Sequence, residues 1–238
     1  GWNTFNEFFS RELNPGLRPI ASPNDNHVIT VPADCTYRAQ YPISSTSTIP
    51  GIVLKKSHAF VSIPELLKGS EYENAFANGT FVHYFLGPYS YHRFHTPIAG
   101  NMKECYAVKG QTFLEVNLKD GQFDAPDNSG NDPAPSTNSG NGYEFTQARG
   151  IVTIDTTNSP YGDMGIVAVI PVGMCQVSSV NMKRPPGPVE KGDEFGYFLF
   201  GGSDIILLFQ EGKAPSINTG DSYRYYGTDI NSCPNSPK

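Results

Sequence analysis

The sequence predicts a mainly β protein of the α+β class, a single domain of antiparallel strands with a few short helices. Its 238 residues are enough for one sizeable core and too few for two domains of ordinary size. Hydrophobic residues make up 38% of the chain and charged residues 17%, a balance that excludes wholesale disorder. The 20 prolines and 24 glycines punctuate short aromatic and β-branched runs, a pattern typical of strands joined by turns.

The first predicted element is a helix. Apolar side chains recur at helical spacing at Phe5, Phe8, Phe9 and Leu13. Thr4 stands where a helix N-cap is expected, and the stretch NPGLRP contains residues that end a helix. We therefore expect a short amphipathic helix whose apolar face packs on the body of the domain.

Most of the remaining elements are predicted strands. HVITVPADCTYRAQY predicts two strands broken at Pro32, and SHAFVSIPELLKGSEYENAF predicts a short strand followed by one or two short helices. GTFVHYFLGPYSYHRFHTPIAGNMKECYAV predicts two core strands flanking a loop that carries His92 and His95. GIVTIDT and GIVAVIPVGMCQVSSV supply further strands, and two apolar runs surround the tripeptide Gly201-Gly202-Ser203.

The composition changes between residues 120 and 142, where Asn, Ser, Gly, Pro and Asp dominate. A segment this poor in apolar side chains cannot repay its ordering entropy. The strands on either side are predicted to continue one sheet, so we interpret 120–142 as a flexible insert within one domain that spans residues 1–238.

Charge and hydropathy exclude several classes of function. The net charge of -6 and the lack of an arginine-rich stripe argue against binding of nucleic acid or another polyanion. The sequence has neither a run of about 18 to 20 apolar residues nor a basic-then-apolar leader, so we expect a soluble, cytoplasmic chain. The four cysteines are far apart, which favours reduced thiols over a disulfide scaffold.

Three polar stretches stand in apolar, strand-like surroundings: PADC with Asp34, YHRFHTP with His92 and His95, and FGGSD with Ser203. Together they hold the residue types of a nucleophile, its base and an orienting carboxylate, whose order along a chain is not constrained. Ser203 lacks the G-x-S-x-G elbow of an α/β hydrolase. The two histidines do not make a zinc site by themselves, because zinc needs a third protein ligand, and no metal is predicted.

Five motifs occur in a recognisable order from about residue 3 to residue 209: TFNEFFSRELNPGLRPI, PADC, NGTFVHYFLGPYSYHRFHTPIAG, VGMCQVSS and KGDEFGYFLFGGSDIILLF. Together they resemble the phosphatidylserine decarboxylase family of self-processing pyruvoyl enzymes. The insert at 120–142 and the stretch VGMCQVSS are similar to the soluble fungal branch of that family, which includes a tryptophan decarboxylase.

The resemblance implies that the chain cuts itself between Gly202 and Ser203. In the family the serine oxygen attacks the preceding carbonyl, an ester forms, and elimination leaves the serine as an N-terminal pyruvoyl group, the covalent cofactor. Residues 1–202 then become the β subunit and residues 203–238 the α subunit, and the two fragments remain associated. Glycine before the serine suits this attack, because a side chain there would obstruct a close approach to the carbonyl.

The resemblance also implies roles for the other polar residues. His95 matches the base of the cleavage, and Asp34 matches the carboxylate that orients it. His92 matches the histidine of the decarboxylation step, in which the pyruvoyl ketone forms an imine with the substrate amine and accepts the electron pair left by CO2. The implied substrate is either the serine head group of phosphatidylserine or a free L-amino acid, with aromatic amino acids such as tryptophan favoured. Membrane contact would require residues upstream of this chain.

The sequence departs from the family pattern at two points. Cys35 replaces the glycine of the usual PADG, and Asp204 follows Ser203 where Thr or Ser is common. His58 and His83 lie on strand-like runs away from the two-histidine motif and are expected to be structural.

Two other functions stay open from the residues alone. One is a hydrolase that keeps Ser203 and uses His95 and Asp34 as its base and orienting acid. The other is a carrier-like binding module, because VEKGDEFGYF resembles the hairpin of lipoyl and biotinyl domains. We therefore expect a hairpin of this kind near the cleavage site. The carrier alternative lacks the lysine that such a hairpin presents at its tip.

Overall fold

The computed structural model describes residues 1–49, 61–110, 117–119, 122–124, 147–173, 179–199 and 203–232. Within them the chain forms antiparallel β-sheets and two short helices, α1 (Phe5–Phe9) and α2 (Ile63–Leu66). The strands are β1 (Thr36–Pro42), β2 (Thr48–Ile49), β3 (Val61–Ser62), β4 (Thr80–Leu86), β5 (Arg93–His95), β6 (Gly100–Val108), β7 (Asn117–Lys119), β8 (Gln122–Asp124), β9 (Arg149–Asp155), β10 (Ile166–Gly173), β11 (Ser179–Met182), β12 (Gly187–Val189), β13 (Glu194–Leu199) and β14 (Ser203–Phe209). The predicted mainly β fold is confirmed.

The largest sheet has seven strands in the order β1-β4-β14-β10-β9-β6-β12. β14 lies near its centre, between β4 and β10, and all of its residues are buried. The run DIILLF has no polar alternation, which is typical of a strand covered on both faces. The strand that begins at Ser203 is therefore held by neighbours on both sides.

A second sheet, β11-β13-β5, packs over one face of the large sheet. Side chains from both sheets form the first core cluster, which includes Leu86, Phe94, Phe198 and Ile205. On the opposite face of the large sheet the second core cluster includes Phe81, Ile206 and Leu208, together with residues of α2. Successive residues of β14 alternate between the two clusters, as the period of a strand requires.

The predicted entry helix is present but shorter than its apolar pattern. The Thr4 side chain accepts a hydrogen bond from the Glu7 backbone N–H at 3.1 Å, so Thr4 is the predicted N-cap. α1 ends at Phe9, whose side chain is fully buried in the first core cluster. A helix of five residues is unstable alone, so this contact holds it on the domain.

Three predictions of local structure are wrong. No strand precedes Pro32 among the described residues: Thr30 makes only an isolated bridge to Asp229, and β1 starts at Thr36. The segment between β4 and β6 is not a simple loop, because Arg93–His95 pair with β13 as strand β5.

The third wrong prediction is the hairpin near the cleavage site. β12, β13 and β14 are consecutive, yet β13 pairs with β11 and β5, while β12 and β14 belong to the large sheet. The physical reason is that β14 is apolar on both faces and takes a central position, whereas β13 covers the first core cluster from the other layer.

The strands β6 and β9, which flank the polar insert, pair as neighbours in the large sheet, as predicted. The insert itself lies outside the described residues except at β8, as do Gly202, His58, Cys175 and Cys233. Among the described residues Cys35 and Cys105 are free thiols.

Candidate active site

Ser203 is the first residue of β14 and lies opposite Leu86 on β4 and Gly173 on β10. Directly opposed residues share a face, so Ser203 lies on the side of the first core cluster with Leu86. Its side chain is fully buried, and its Oγ atom has no hydrogen-bond partner among the described residues. A buried unpaired hydroxyl costs about 1–3 kcal/mol and needs an explanation, of which a reactive role is one.

His92 is fully buried beside α1. Its ring stacks on Phe9 with the centroids 3.6 Å apart and meets the edge of Phe198 at 6.4 Å. Nδ1 lies 2.9 Å from the Ser90 carbonyl, which can only accept, so Nδ1 carries the proton and Nε2 carries the lone pair. Burial lowers the pKa of His92 to about 3, so the ring is neutral at pH 7.

The structure places His92 and Ser203 on the same core cluster. Phe9 and Phe198, which contact His92, belong to the first core cluster with Leu86, the residue opposite Ser203. Nε2 of His92, like Oγ of Ser203, has no hydrogen-bond partner among the described residues. Two buried polar atoms without partners at one cluster are typical of a site that a reacting group completes.

A third such atom is the hydroxyl of Tyr84 on β4. Tyr84 lies opposite Ile205, on the same face as Ser203, and is fully buried. Its hydroxyl has no hydrogen-bond partner within the described part of the chain, and burial raises its pKa well above the ordinary value. Nothing in the amino-acid sequence distinguishes Tyr84 from the other core residues of its strand.

His95 is held through both ring nitrogens. Nδ1 donates to the Gly192 carbonyl at 2.8 Å, and Nε2 accepts from the Tyr91 hydroxyl at 2.9 Å. This tautomer leaves the basic lone pair on Nε2, as a general base requires. Burial lowers the pKa of His95 to about 4, with Arg93 adding to the decrease and Asp193 opposing it.

Asp34 is buried, but its hydrogen bonds within the described residues do not go to His95. Its Oδ2 accepts from Arg18 Nη2 at 2.8 Å, and its Oδ1 accepts from the Tyr226 backbone N–H at 2.9 Å. The ring of Tyr226 in turn stacks on His95 with centroids 3.9 Å apart and planes 5° apart. Asp34 and His95 are thus brought together through Tyr226, and a direct orienting contact stays a prediction.

Lys191, the residue before Gly192, helps to hold the turn that contacts His95. Its buried ammonium donates to the backbone carbonyls of Ser22, Asp25 and Val28 at 2.6, 2.6 and 2.7 Å. Burial lowers its pKa to about 8. The turn that presents the Gly192 carbonyl to His95 is therefore pinned to a segment far away in the sequence.

Sequence reasoning missed Tyr91, Lys191 and Tyr226 as parts of the site. Tyr91 and Lys191 lie inside recognised motifs, but nothing local reveals their partners. The only signal for Tyr226 is the aromatic run YRYY in an otherwise polar tail.

Asp204, the residue after Ser203, points to the second core cluster and is fully buried. Its Oδ1 lies 3.2 Å from Nε2 of His83 on β4. His83 is expected from the sequence to be structural, and here its ring lies beside the residue that departs from the family pattern. The pair ties the start of β14 to β4 on the face opposite to Ser203.

Comparison with known proteins shows the family of the chain. The sequence profile described as phosphatidylserine decarboxylase matches residues 5–230, nearly the whole chain. The chain belongs to the phosphatidylserine decarboxylase family. The resemblance predicted from the five motifs is confirmed.

Three relatives of this member of the phosphatidylserine decarboxylase family come from different organisms. Phosphatidylserine decarboxylase proenzyme 2 of Oryza sativa subsp. japonica is 31% identical over 211 residues, which cover 88% of this chain and 30% of the relative. The proenzyme of Chlamydia trachomatis serovar L2 is 32% identical over 209 residues, 87% of this chain and 60% of the relative. Decarboxylase iboD of Amanita muscaria is 28% identical over 214 residues, 88% of this chain and 59% of the relative. The chain thus spans well under two thirds of the length of each of these relatives.

Neither helix in the described part of the chain has the length and apolar character that crossing a membrane requires.

Proposed function

We propose that this member of the phosphatidylserine decarboxylase family is a self-processing decarboxylase that cuts itself between Gly202 and Ser203. The observation that carries the proposal is the Ser203 hydroxyl, which is fully buried at the start of a central strand and has no hydrogen-bond partner among the described residues. A structural serine at such a place would be expected to donate to a carbonyl nearby. A nucleophile whose target is the preceding carbonyl has no such requirement.

In the cleavage, Ser203 Oγ attacks the Gly202 carbonyl carbon, and an ester replaces the peptide bond. The C–N bond breaks, and the nitrogen of residue 203 leaves as an amine that receives the proton from His95. His95 takes the hydroxyl proton, because its Nε2 carries the lone pair and its low pKa keeps the ring neutral at pH 7. In the described state this lone pair accepts the Tyr91 hydroxyl, so Tyr91 either moves aside or passes the proton on. Asp34 keeps His95 in position.

The ester is then eliminated: residue 203 loses its α-proton, and the Gly202 carboxylate leaves the β-carbon of that residue. Water then replaces the nitrogen of residue 203, which is released as ammonia. The product is a pyruvoyl group at residue 203, and the surroundings of Ser203 fit it. The group is no larger than the serine it replaces, and Leu86 and Gly173 hold the backbone on both sides.

A pyruvoyl group supplies an electron sink for the pair of electrons that CO2 leaves on the substrate. His92 moves the proton, since it borders the same core cluster and its Nε2 has no partner in the described residues. The lone pair on Nε2 takes a proton from the substrate ammonium and returns it to the substrate carbon.

The substrate carries an α-amino carboxylate, either as the serine head group of phosphatidylserine or as a free L-amino acid. Three of the relatives' names fit this range: two are phosphatidylserine decarboxylase proenzymes, and one is a fungal decarboxylase. We propose a free, aromatic amino acid as the first candidate to test, with tryptophan as the representative.

Two measurements test the proposal. Intact mass of freshly folded protein should show two fragments, residues 1–202 and a blocked fragment 203–238, and the Ser203→Ala variant should stay uncut. Release of CO2 from labelled substrates then separates the sources, with free tryptophan and other amino acids in one arm and phosphatidylserine vesicles in the other.

The outcomes discriminate between the functions. An uncut chain that hydrolyses esters would identify the hydrolase instead, and an uncut chain without either activity would overturn the proposal. Cleavage followed by CO2 release from the vesicles alone would keep the decarboxylase and reject the free amino acid.

A further inference from the structure

The tail that follows β14 returns across the domain, and one of its residues, Tyr226, contacts His95. Tyr226 places its ring on the imidazole at 3.9 Å and 5°, and the Tyr91 ring stacks on Tyr226 at 5.3 Å and 21°. The tail is fixed at this point by its backbone, because the Tyr226 N–H donates to Asp34. Two residues earlier in the tail, the backbone N–H of Arg224 donates to the Cys35 carbonyl at 2.8 Å, and the Arg224 carbonyl accepts from the Cys35 N–H at 2.9 Å.

We propose that Tyr226 is a positioning residue for His95, and that Asp34 orients the imidazole by holding Tyr226 rather than by contacting the ring. This inference rests on the proposed function, in which His95 is the base of self-cleavage. It gives the tail after β14 a role in self-cleavage. Of the segment that follows the cleavage site, the proposed function uses only Ser203 in that reaction.

The geometry of the imidazole explains why a stacked ring is needed. The hydrogen bonds at Nδ1 and Nε2 both lie in the ring plane, so together they fix two points of the ring. The ring can still tilt about the line that joins those points. The parallel face of Tyr226 opposes this tilt, so three contacts define the orientation that the two hydrogen bonds leave free.

Asp34 is connected to His95 through Tyr226, whose backbone N–H it holds and whose ring stacks on the imidazole. Its carboxylate accepts from Arg18 and from the Tyr226 N–H, and Arg18 also lies 4.2 Å over the ring of Tyr225. The side chains of Arg18 and Asp34 therefore anchor the tail at Tyr225 and Tyr226. An orienting carboxylate acting through a neighbour in this way still affects cleavage when it is removed.

Tyr226 also keeps water from one face of His95. The groups that face the imidazole are the Tyr91 hydroxyl, the Tyr226 ring and the Gly192 carbonyl, with Arg93 and Asp193 as the nearby charges. Burial is the largest cause of the lowered pKa of His95. Removing the Tyr226 ring hydrates the imidazole, so its pKa should rise from about 4 toward the ordinary value.

The test follows self-cleavage of protein made in a short cell-free translation pulse and then moved to buffers from about pH 4 to pH 8. Tyr226→Ala should cleave about 10- to 100-fold more slowly than the parent, since a misplaced base loses this much. The midpoint of its acid limb should move upward, because a base with a higher pKa becomes protonated at a higher pH. Tyr226→Phe keeps the stacked ring and should restore both the rate and the midpoint.

Two further variants keep the test decisive. Tyr72→Ala removes a tyrosine that packs on the second core cluster, away from His95, and should leave the rate and the midpoint unchanged. If Tyr226→Ala does not fold, Tyr226→Leu takes its place. Leucine has no flat face and is smaller than tyrosine, so it leaves part of the imidazole open to water, and it too should slow cleavage and raise the midpoint.

The outcomes separate this inference from the function on which it rests. A parent chain that does not cleave, or His95→Ala cleaving at the parent's rate, overturns the proposed function. Cleavage that depends on His95 but proceeds in Tyr226→Ala or Tyr226→Leu with the parent's midpoint overturns the positioning role alone. A slower rate with an unmoved midpoint has the same meaning, since it reports damage to the fold and no change at the imidazole.

Discussion

At the scale of single residues, His92 and His95 have the same tautomer and differ in what the lone pair on Nε2 contacts. In both, Nδ1 donates to a backbone carbonyl, which places the lone pair on Nε2. In His95 that lone pair accepts the Tyr91 hydroxyl, and in His92 it has no partner among the described residues. The surroundings therefore suit His95 for proton transfer through Tyr91 and His92 for contact with a bound molecule.

This difference predicts separable effects on making and using the cofactor. His95→Ala should abolish self-cleavage, because no other base is held there. His92→Ala should still cleave but lose about 10²- to 10⁴-fold in turnover, the usual loss for a positioned acid or base. Intact mass measures the first effect and CO2 release per cleaved molecule measures the second. Normal turnover by folded, cleaved His92→Ala would show that the proton comes from elsewhere.

The same residues predict a pH dependence of stability. Both histidines have folded pKa values, about 3 and about 4, below the ordinary value of about 6.5. As the pH falls, the unfolded chain therefore takes up these protons first, so stability present above about pH 6.5 is lost toward pH 4. Each histidine contributes a slope of at most about 1.4 kcal/mol per pH unit.

Urea unfolding of Ser203→Ala, which should stay uncut, measures this slope between about pH 7 and pH 5, above the range where most carboxylates titrate. His92→Phe in the same background keeps a ring against Phe9 and should flatten the slope. An equal slope in both proteins would mean that His92 binds as many protons in the folded state as in the unfolded state.

At the scale of elements, α1 depends on one contact. Phe9 is fully buried and stacks on His92, whereas the N-cap Thr4 is exposed. Phe9→Ala should lower the free energy of unfolding by about 3–5 kcal/mol, the usual cost of removing a buried phenylalanine. Thr4→Ala is the matched control and should cost about 1 kcal/mol, the value of a cap. Urea unfolding in the uncut background compares them, and equal costs would contradict a docked helix.

Elements also show where sequence reasoning succeeds and fails. α1 has its own periodicity and cap, and β14 has an unbroken apolar run, so both could be predicted locally. The pairing of β13 with β5 could not, because periodicity identifies a strand without identifying its sheet. The site shows the same limit: motifs selected Ser203 and the histidines, but the contact between Asp34 and Tyr226 joins residues 192 positions apart.

At the scale of the whole molecule, the proposed cut divides one sheet between two chains. β14 would belong to the fragment 203–238, while its neighbours β4 and β10 stay with residues 1–202. Because β14 pairs along its whole length with both and is completely buried, the fragments should remain together. Size-exclusion chromatography in native buffer should give one peak that contains both, and denaturant should separate them. A small fragment that elutes alone in native buffer would contradict this arrangement.

The central position of β14 also determines how refolding depends on protein concentration before and after cleavage. In the uncut chain β14 is tethered to β13, so its insertion between β4 and β10 is intramolecular and independent of protein concentration. Once the tether is cut, the same insertion becomes an encounter between two molecules, and its rate falls with dilution. Refolding of Ser203→Ala should thus be reversible at any concentration, whereas a mature molecule that unfolds in dilute solution is not expected to recover.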